Sequence, residues 1–225
     1  MSLLSFRALF LFAWRLAAVG LCLLVPAGSL DFWQAWVFLP VFFLPDLLIV
    51  SYLIRNDPDL LKRRLKGGEL AEPRFSQKAI TVLMKLCFVA LLVISGLDHH
   101  FGWSHVPVVL VMVADAGVVL GFWIHFHVFK ENTFASAIVT ILPEQKVIAT
   151  GPYTLVRHPY YSGALMVDCC IPIALGSWWA LPVVLGVLGM IVLRLLDEEK
   201  LLRQSLPGYE DYCRQVPYRL IPRIW

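Results

Sequence analysis

The chain is short of charge. Of its 225 residues, 16% are Asp, Glu, Lys or Arg and 59% are hydrophobic, whereas a soluble domain has about 25% charged and roughly 45–50% apolar residues. That deficit argues against a water-soluble domain and points to a membrane protein. The formal net charge is only +3, so no nucleic-acid partner is expected. Familiar signatures are missing as well. There is no G-x-G-x-x-G, no P-loop, no H-E-x-x-H and no G-x-S-x-G, so dinucleotide, phosphate, zinc-protease and serine-hydrolase motifs give no lead. No internal repeat or low-complexity tract is present. The five cysteines (Cys22, Cys87, Cys169, Cys170, Cys213) are odd in number, scattered and without metal-ligand spacing. Packing thiols are expected, rather than a disulfide framework or a metal site.

What the sequence has is long apolar runs. A spanning helix needs roughly 20 mostly apolar residues, and the candidates are 8–26, 32–54, 79–97 and 107–129. The first run could pass for a signal peptide, but its length and the interrupting Arg15 favour a retained helix. A fifth block, 160–195, is too long for one span. Gly176-Ser177-Trp178-Trp179 divides it into two short helices, a hairpin dipping into or across the bilayer, with the two tryptophans suited to an interface. The expected fold class is all-α: a polytopic integral membrane bundle of about six membrane segments, with a C-terminal helical hairpin and a cytoplasmic C-terminal tail.

Basic residues set the expected orientation. Arg55, Lys62, Arg63, Arg64, Lys66, Arg74 and Lys78 follow the second run; Lys130, Lys146 and Arg157 follow the fourth; Lys200, Arg203, Arg214, Arg219 and Arg223 lie in the tail. The intervening connections, 27–31 and 98–106, carry no Lys or Arg. With both termini cytoplasmic, every basic loop obeys the positive-inside rule. Segment 55–78 reads as a cytoplasmic helix and loop, started by Asp57-Pro58, ended by Gly67-Gly68, and resting as a basic patch beside anionic lipid. The chain divides into N-terminal membrane helices, 1–106, and a C-terminal core, 107–225.

Two polar clusters flank the last hairpin. One is GPYTLVRHPYYSG, residues 151–163; the other runs from Arg194 to Leu202. On a helix Arg194 and Glu198 share a face, with Asp197 nearby, and a hairpin brings the two clusters to one end. Each has an ordinary explanation. His158-Pro159 can start a helix, Arg157 can snorkel to phosphates, and Arg194 with Glu198 can be an exposed pair worth a few tenths of a kcal/mol. Together at membrane depth they are better read as functional. Other candidates are weaker. His125 and His127 point to different sides of one helix, and nothing completes a metal site around His99, His100 and His105. Asp46, Asp115 and Asp168 lie within or near membrane helices. They could form a proton path, line a polar cavity, or pair with backbone, Tyr or Arg.

G-P-Y-x-x-x-R-H-P-x-Y-x-G, a hairpin, R-x-x-x-E-E-x-x-L, then Leu206-Pro207-Gly208-Tyr209-Glu210-Asp211-Tyr212 and Tyr218-Arg219-Leu220-Ile221-Pro222 together resemble the isoprenylcysteine carboxyl methyltransferase family. That family is grouped with membrane phospholipid N-methyltransferases. The resemblance covers about 117–225, and the first helices resemble bacterial members more loosely. It implies a membrane-embedded methyltransferase dependent on S-adenosylmethionine, in a bacterial inner membrane, acting on a lipid or a prenylated small molecule or peptide. By that resemblance the cofactor is held by Tyr153, His158, Pro159, Tyr160, Tyr161 and Glu198. The preceding segment contributes Gln145, Val147 and Ile148, with Gln145 standing where the family usually has histidine. The arginine that receives the substrate carboxylate falls on Arg194. A carboxylate acceptor needs no general base; an amine acceptor must lose a proton, for which Glu199 or Tyr218 is the candidate.

Two other readings stay open. Membrane sterol reductases share an R-H-P-x-Y-type segment and a similar tail but bind a reduced nicotinamide phosphate; the R-x-x-x-E-E pair favours the methyltransferase. A small proton-coupled transporter would use the three aspartates, but such proteins often carry inverted repeats.

Overall fold

A computed structural model describes residues 3–67, 72, 74–135, 137–138, 142 and 144–225. Among them are eight α-helices and no strands. In order they are α1 (Leu3–Ala27), α2 (Trp33–Asn56), α3 (Pro58–Lys66), α4 (Phe75–Phe101), α5 (Val108–Glu131), α6 (Pro159–Ala174), α7 (Leu181–Ser205) and α8 (Tyr209–Gln215). Helices α1, α2, α4 and α5 are long and apolar enough to cross a membrane. The expected hairpin is present as α6 and α7, but its arms are unequal. With 16 residues, α6 is about 24 Å long, short of the roughly 30 Å hydrocarbon core. The last turns of α7 are charged. Four helices, not six, therefore qualify as spans by length and composition.

Helix α3 begins where the sequence says it should. Asp57 caps it, its carboxylate accepting from the Leu60 N–H at 2.9 Å, and Pro58 fills the first turn, where a missing N–H costs nothing. Gly67 ends it; Gly68 lies outside the described residues.

At the far end, Asp98 fixes the turn between α6 and α7. It accepts from Ser104 at 2.6 Å and from the fully buried Ser177. Phe101, Trp103 and Trp179 cluster around this turn, as aromatic side chains do at a membrane surface. The histidines of this end are structural in geometry: His99 stacks on Phe32, and His100 Nδ1 donates to the Ala27 carbonyl at 3.1 Å.

Helix α6 packs chiefly on α5, while α4 touches both α1 and α7. Two glycines let α5 and α6 approach. A Cβ at Gly121 would lie 2.5 Å from Val167 and 2.8 Å from the Gly163 carbonyl, and one at Gly163 would lie 2.9 Å from the Gly121 carbonyl. Small residues at such a crossing permit backbone-to-backbone packing. The contact holds the start of α6 at a set height on α5.

The tail closes the polar end of the bundle. Backbone N–H groups of Arg157 and His158 donate to the carbonyls of Tyr218 and Arg219 at 2.9 and 3.0 Å. Arg157 does not snorkel to lipid: it is 6% exposed. Its guanidinium donates to Glu199 Oε1 at 2.7 Å and to the carbonyls of Val216 and Pro217, both at 2.9 Å. Arg219 donates to Glu199 Oε2 at 3.0 Å. One buried carboxylate on α7 thus joins the R-H-P segment to the tail.

Burial alone would raise the Glu199 carboxyl, but neighbouring His158, Arg157 and Arg219 outweigh it and hold it at about 2, below its ordinary 4.5. Its stabilisation is therefore complete above about 4.5 and is lost as pH falls through about 2. Glu199→Gln leaves Arg157 buried without its counter-ion, at a cost of about 3–5 kcal/mol. The expected result is a lower unfolding midpoint at pH 7 in detergent, and a smaller further drop on acidification than in the parent chain. Equal midpoints at pH 7 would show that the clamp does not depend on charge.

Candidate functional site

Between the two clusters lies a cavity of about 760 Å³. Its polar end is walled by all the residues expected to hold a cofactor: Gln145, Val147, Ile148, Tyr153, His158, Pro159, Tyr160, Tyr161 and Glu198. Arg194 lines it too. Its other end is apolar, with Val19 of α1, Phe42 and Phe43 of α2, and Met84, Phe88 and Leu92 of α4 on the wall. The N-terminal helices therefore build half of the site.

Local order at the polar end follows from the sequence. Gly151–Thr154 form a single 3-10 turn, and α6 starts at Pro159 with His158 as its cap residue. Residues three and seven apart on α6 share a face, so Tyr161, Ala164 and Asp168 all meet the cavity. The Tyr153 hydroxyl accepts from Asn132 at 2.8 Å, and its carbonyl accepts from the Tyr212 hydroxyl at 2.8 Å. Tyr160 is held by rings and charge. His125 stacks on it at 4.6 Å and donates to its carbonyl at 3.1 Å, while the Arg64 guanidinium sits 5.1 Å from its ring centre. His127 instead turns back to the Trp123 carbonyl at 2.9 Å.

The expected Arg194–Glu198 pair is indirect. The Tyr161 hydroxyl donates to Glu198 Oε2 at 2.6 Å and accepts from Arg194 Nε at 3.2 Å. Arg194 is 8% exposed. Its other N–H groups meet Gln77 at 3.1 Å, Thr81 at 2.9 Å, the Ala137 carbonyl at 3.0 Å and Glu72 at 2.7 Å. A guanidinium has five donors, and all five are engaged. Glu72 also neutralises its charge. Arg194 therefore has no free fork for a substrate carboxylate, which revises the role that the resemblance implies. Asp197 bonds Arg74 at 2.8 Å and Gln77 at 2.6 Å, bracing the same network from behind.

Glu199 needs correction as well. It does not line the cavity, it is locked between two arginines, and a carboxyl held at about 2 is a poor proton acceptor at neutral pH. Tyr218 is likewise absent from the wall. The basic segment after α2 was expected to face lipid headgroups, yet Arg64 turns inward onto Phe129 and Tyr160. Asn132, Phe134, Arg64, Tyr209 and Tyr212 line the cavity without having been singled out as site residues. The last two sit in the Leu206–Tyr212 motif, and that was the only signal available for them.

A smaller cavity of about 330 Å³ adjoins the first and shares Arg15, Arg64, Tyr160 and Asp168 with it. The three membrane aspartates do not share one path. Asp46 pairs with Arg15 and lines the smaller cavity, Asp168 lines both, and Asp115 is buried without a hydrogen-bond partner and lines neither. Among the described residues, no three His, Cys, Asp or Glu are grouped to hold a metal, and all five cysteines are free and half-buried.

Comparison with known proteins bears on this region. The Delta(14)-sterol reductase of Mus musculus is 31% identical over 84 residues, 36% of this chain but only 20% of that protein's length. Residues 109–207 match the model of a family described as phospholipid methyltransferase. The match runs from α5 to the end of α7 and contains Tyr153, His158, Tyr160, Tyr161, Arg194 and Glu198. The match covers under half of the chain and supports a likeness to membrane methyltransferases of the phospholipid type.

Proposed function

We propose that this chain is an S-adenosylmethionine-dependent methyltransferase that draws a lipid-like acceptor from the bilayer. The observation that carries the reading is one cavity, polar at the R-H-P end and apolar between α1, α2 and α4. The donor set fits the cofactor. The buried Tyr209 hydroxyl makes no hydrogen bond, His158 Nε2 lies 3.4 Å from Glu199 Oε1, and both residues line the cavity. Glu198 accepts one bond from Tyr161 and keeps capacity for an ammonium group. Tyr153 and Phe134 are aromatic residues of the wall against which a base would pack.

When bound, S-adenosylmethionine supplies an electrophilic methyl group, released by cleavage of its sulfur–carbon bond. The chain's residues then mainly hold and align, and alignment is worth several kcal/mol. Tyr161 fixes the Glu198 carboxylate through a short hydrogen bond, and Arg194 fixes Tyr161. Arg194 is thus a positioning residue, not a receptor. The phenylalanines of α2 and α4 exclude water from the far half and accommodate an apolar tail.

For the acceptor, O-methylation of an isoprenylcysteine-type carboxylate leads on motif resemblance, and needs no proton transfer. Amine methylation of a phospholipid is the second reading, favoured by the family that residues 109–207 match. The location proposed is a bacterial inner membrane, with the polar end and both termini in the cytoplasm, where the basic residues gather.

Transfer of label from S-adenosylmethionine to a farnesylcysteine analogue or to phosphatidylethanolamine, by chain purified in detergent, tests the reading; label on neither removes it. Glu198→Gln is expected to weaken cofactor binding about 10- to 100-fold by calorimetry, the range for a charge-assisted bond. Arg194→Lys is expected to weaken cofactor binding roughly tenfold while leaving the acceptor KM unchanged. A raised KM with normal cofactor affinity would restore Arg194 as receptor.

A further inference from the structure

We propose that Arg64 is the anion receptor for the acceptor, binding its carboxylate or phosphate. The inference rests on the methyltransferase reading and deepens it. Both candidate acceptors carry an anion beside the apolar tail, and an anion drawn into a largely apolar cavity needs a cation to meet it. Arg194 is spent on Glu72 and four neutral acceptors. Arg157 and Arg219 are spent on Glu199 and Arg15 on Asp46, while Lys85 and Lys146 line the main cavity but not the smaller one and lack the planar two-donor fork that matches a carboxylate or phosphate.

Arg64 differs from these. It lines both cavities and makes no ion pair among the described residues. Two of its five donors are used: one reaches the Ala135 carbonyl at 3.5 Å, the other the Tyr160 hydroxyl at 3.1 Å. The guanidinium lies 4.3 Å from the Phe129 ring centre and 5.1 Å from that of Tyr160. Stacking of this kind orients a guanidinium while leaving its edge open for a bidentate anion.

Sequence explains why this arginine and not its neighbours turns inward. Leu60 and Leu61 are buried against the bundle, and Arg64 follows them by four and three positions, on the same helical face. Lys62 stays outside and pairs with Asp59 at 2.9 Å. Arg63 is taken by the Thr133 carbonyl.

Nearby charge fits an anion. Asp46 is paired with Arg15 and not with Arg64. Asp168 also lines both cavities and lies beyond ion-pair distance of Arg64. Tyr160 touches both the anion receptor and the wall where the cofactor is proposed, which would place the acceptor's anion beside the transferred methyl.

The test compares binding of three amphiphiles by the full chain in detergent: a farnesylcysteine analogue, phosphatidylethanolamine and uncharged farnesol. Arg64→Gln is expected to weaken one or both anionic amphiphiles at least tenfold, with farnesol unchanged and cofactor affinity within about threefold. Arg64→Lys is expected to fall between. Loss confined to farnesylcysteine marks a carboxylate, and loss confined to phosphatidylethanolamine marks a phosphate. Equal loss for farnesol reveals a packing role and overturns the proposal, as does anion binding that Arg64→Gln leaves intact. If Arg64→Gln no longer binds cofactor, Arg64→Lys decides alone: weaker anion binding with unchanged farnesol supports the receptor, and uniform change overturns it. These are binding readouts, so an absence of methyl transfer would remove the enzymatic reading without deciding this one.

Discussion

The polar end of this bundle depends on a single buried carboxylate. Glu199 sits near the end of α7 and holds Arg157, which precedes α6, and Arg219, which lies in the tail. Without it, no ion pair among the described residues would join α7, the R-H-P segment and the final residues into one wall. Burying Arg157 beside a carboxylate shared with the half-buried Arg219 is costly unless hydrogen bonds complete it, and for Arg157 the carbonyls of Val216 and Pro217 do so.

A second network, around Arg194, ties α7 to α4 and to the segment before α4. It resembles the Glu199 clamp in being fully satisfied and buried, and differs in facing the cavity. Its output is the Tyr161 hydroxyl, set between Arg194 and Glu198. A hydrogen-bonded chain of this type is sensitive at every member, because each one orients the next. The carboxylate that would hold an ammonium is therefore fixed by residues that never touch the ligand.

Much of the fold could be read from the sequence, because the relevant signals are local. Apolar runs of spanning length gave α1, α2, α4 and α5, and Asp57-Pro58 gave the start of α3. The glycine, serine and tryptophan cluster gave the break between α6 and α7. That the residues around the R-H-P motif share one wall of a cavity was legible through their close spacing in the chain. What escaped was long-range pairing. Nothing in the sequence links Glu72 to Arg194, which lie 122 positions apart, or shows that Arg157 would be buried. The inward turn of Arg64 could have been inferred from Leu60 and Leu61, but in a run of basic residues the default is a solvated face. Helix α6 was expected as one short arm of a hairpin dipping into or across the bilayer, and its 16 residues fall short of the roughly 20 that a full span needs.

The two ends of the cavity come from different parts of the chain. The family match covers α5 to α7 and most of the polar wall, ending before Tyr209 and Tyr212, whereas the phenylalanines of α2 and α4, Val19 of α1 and Arg64 of α3 all precede it. Because the two halves are built by separable stretches of chain, chimaeras that exchange only the leading helices become a route to reshaping the hydrophobic half while leaving most of the polar half in place.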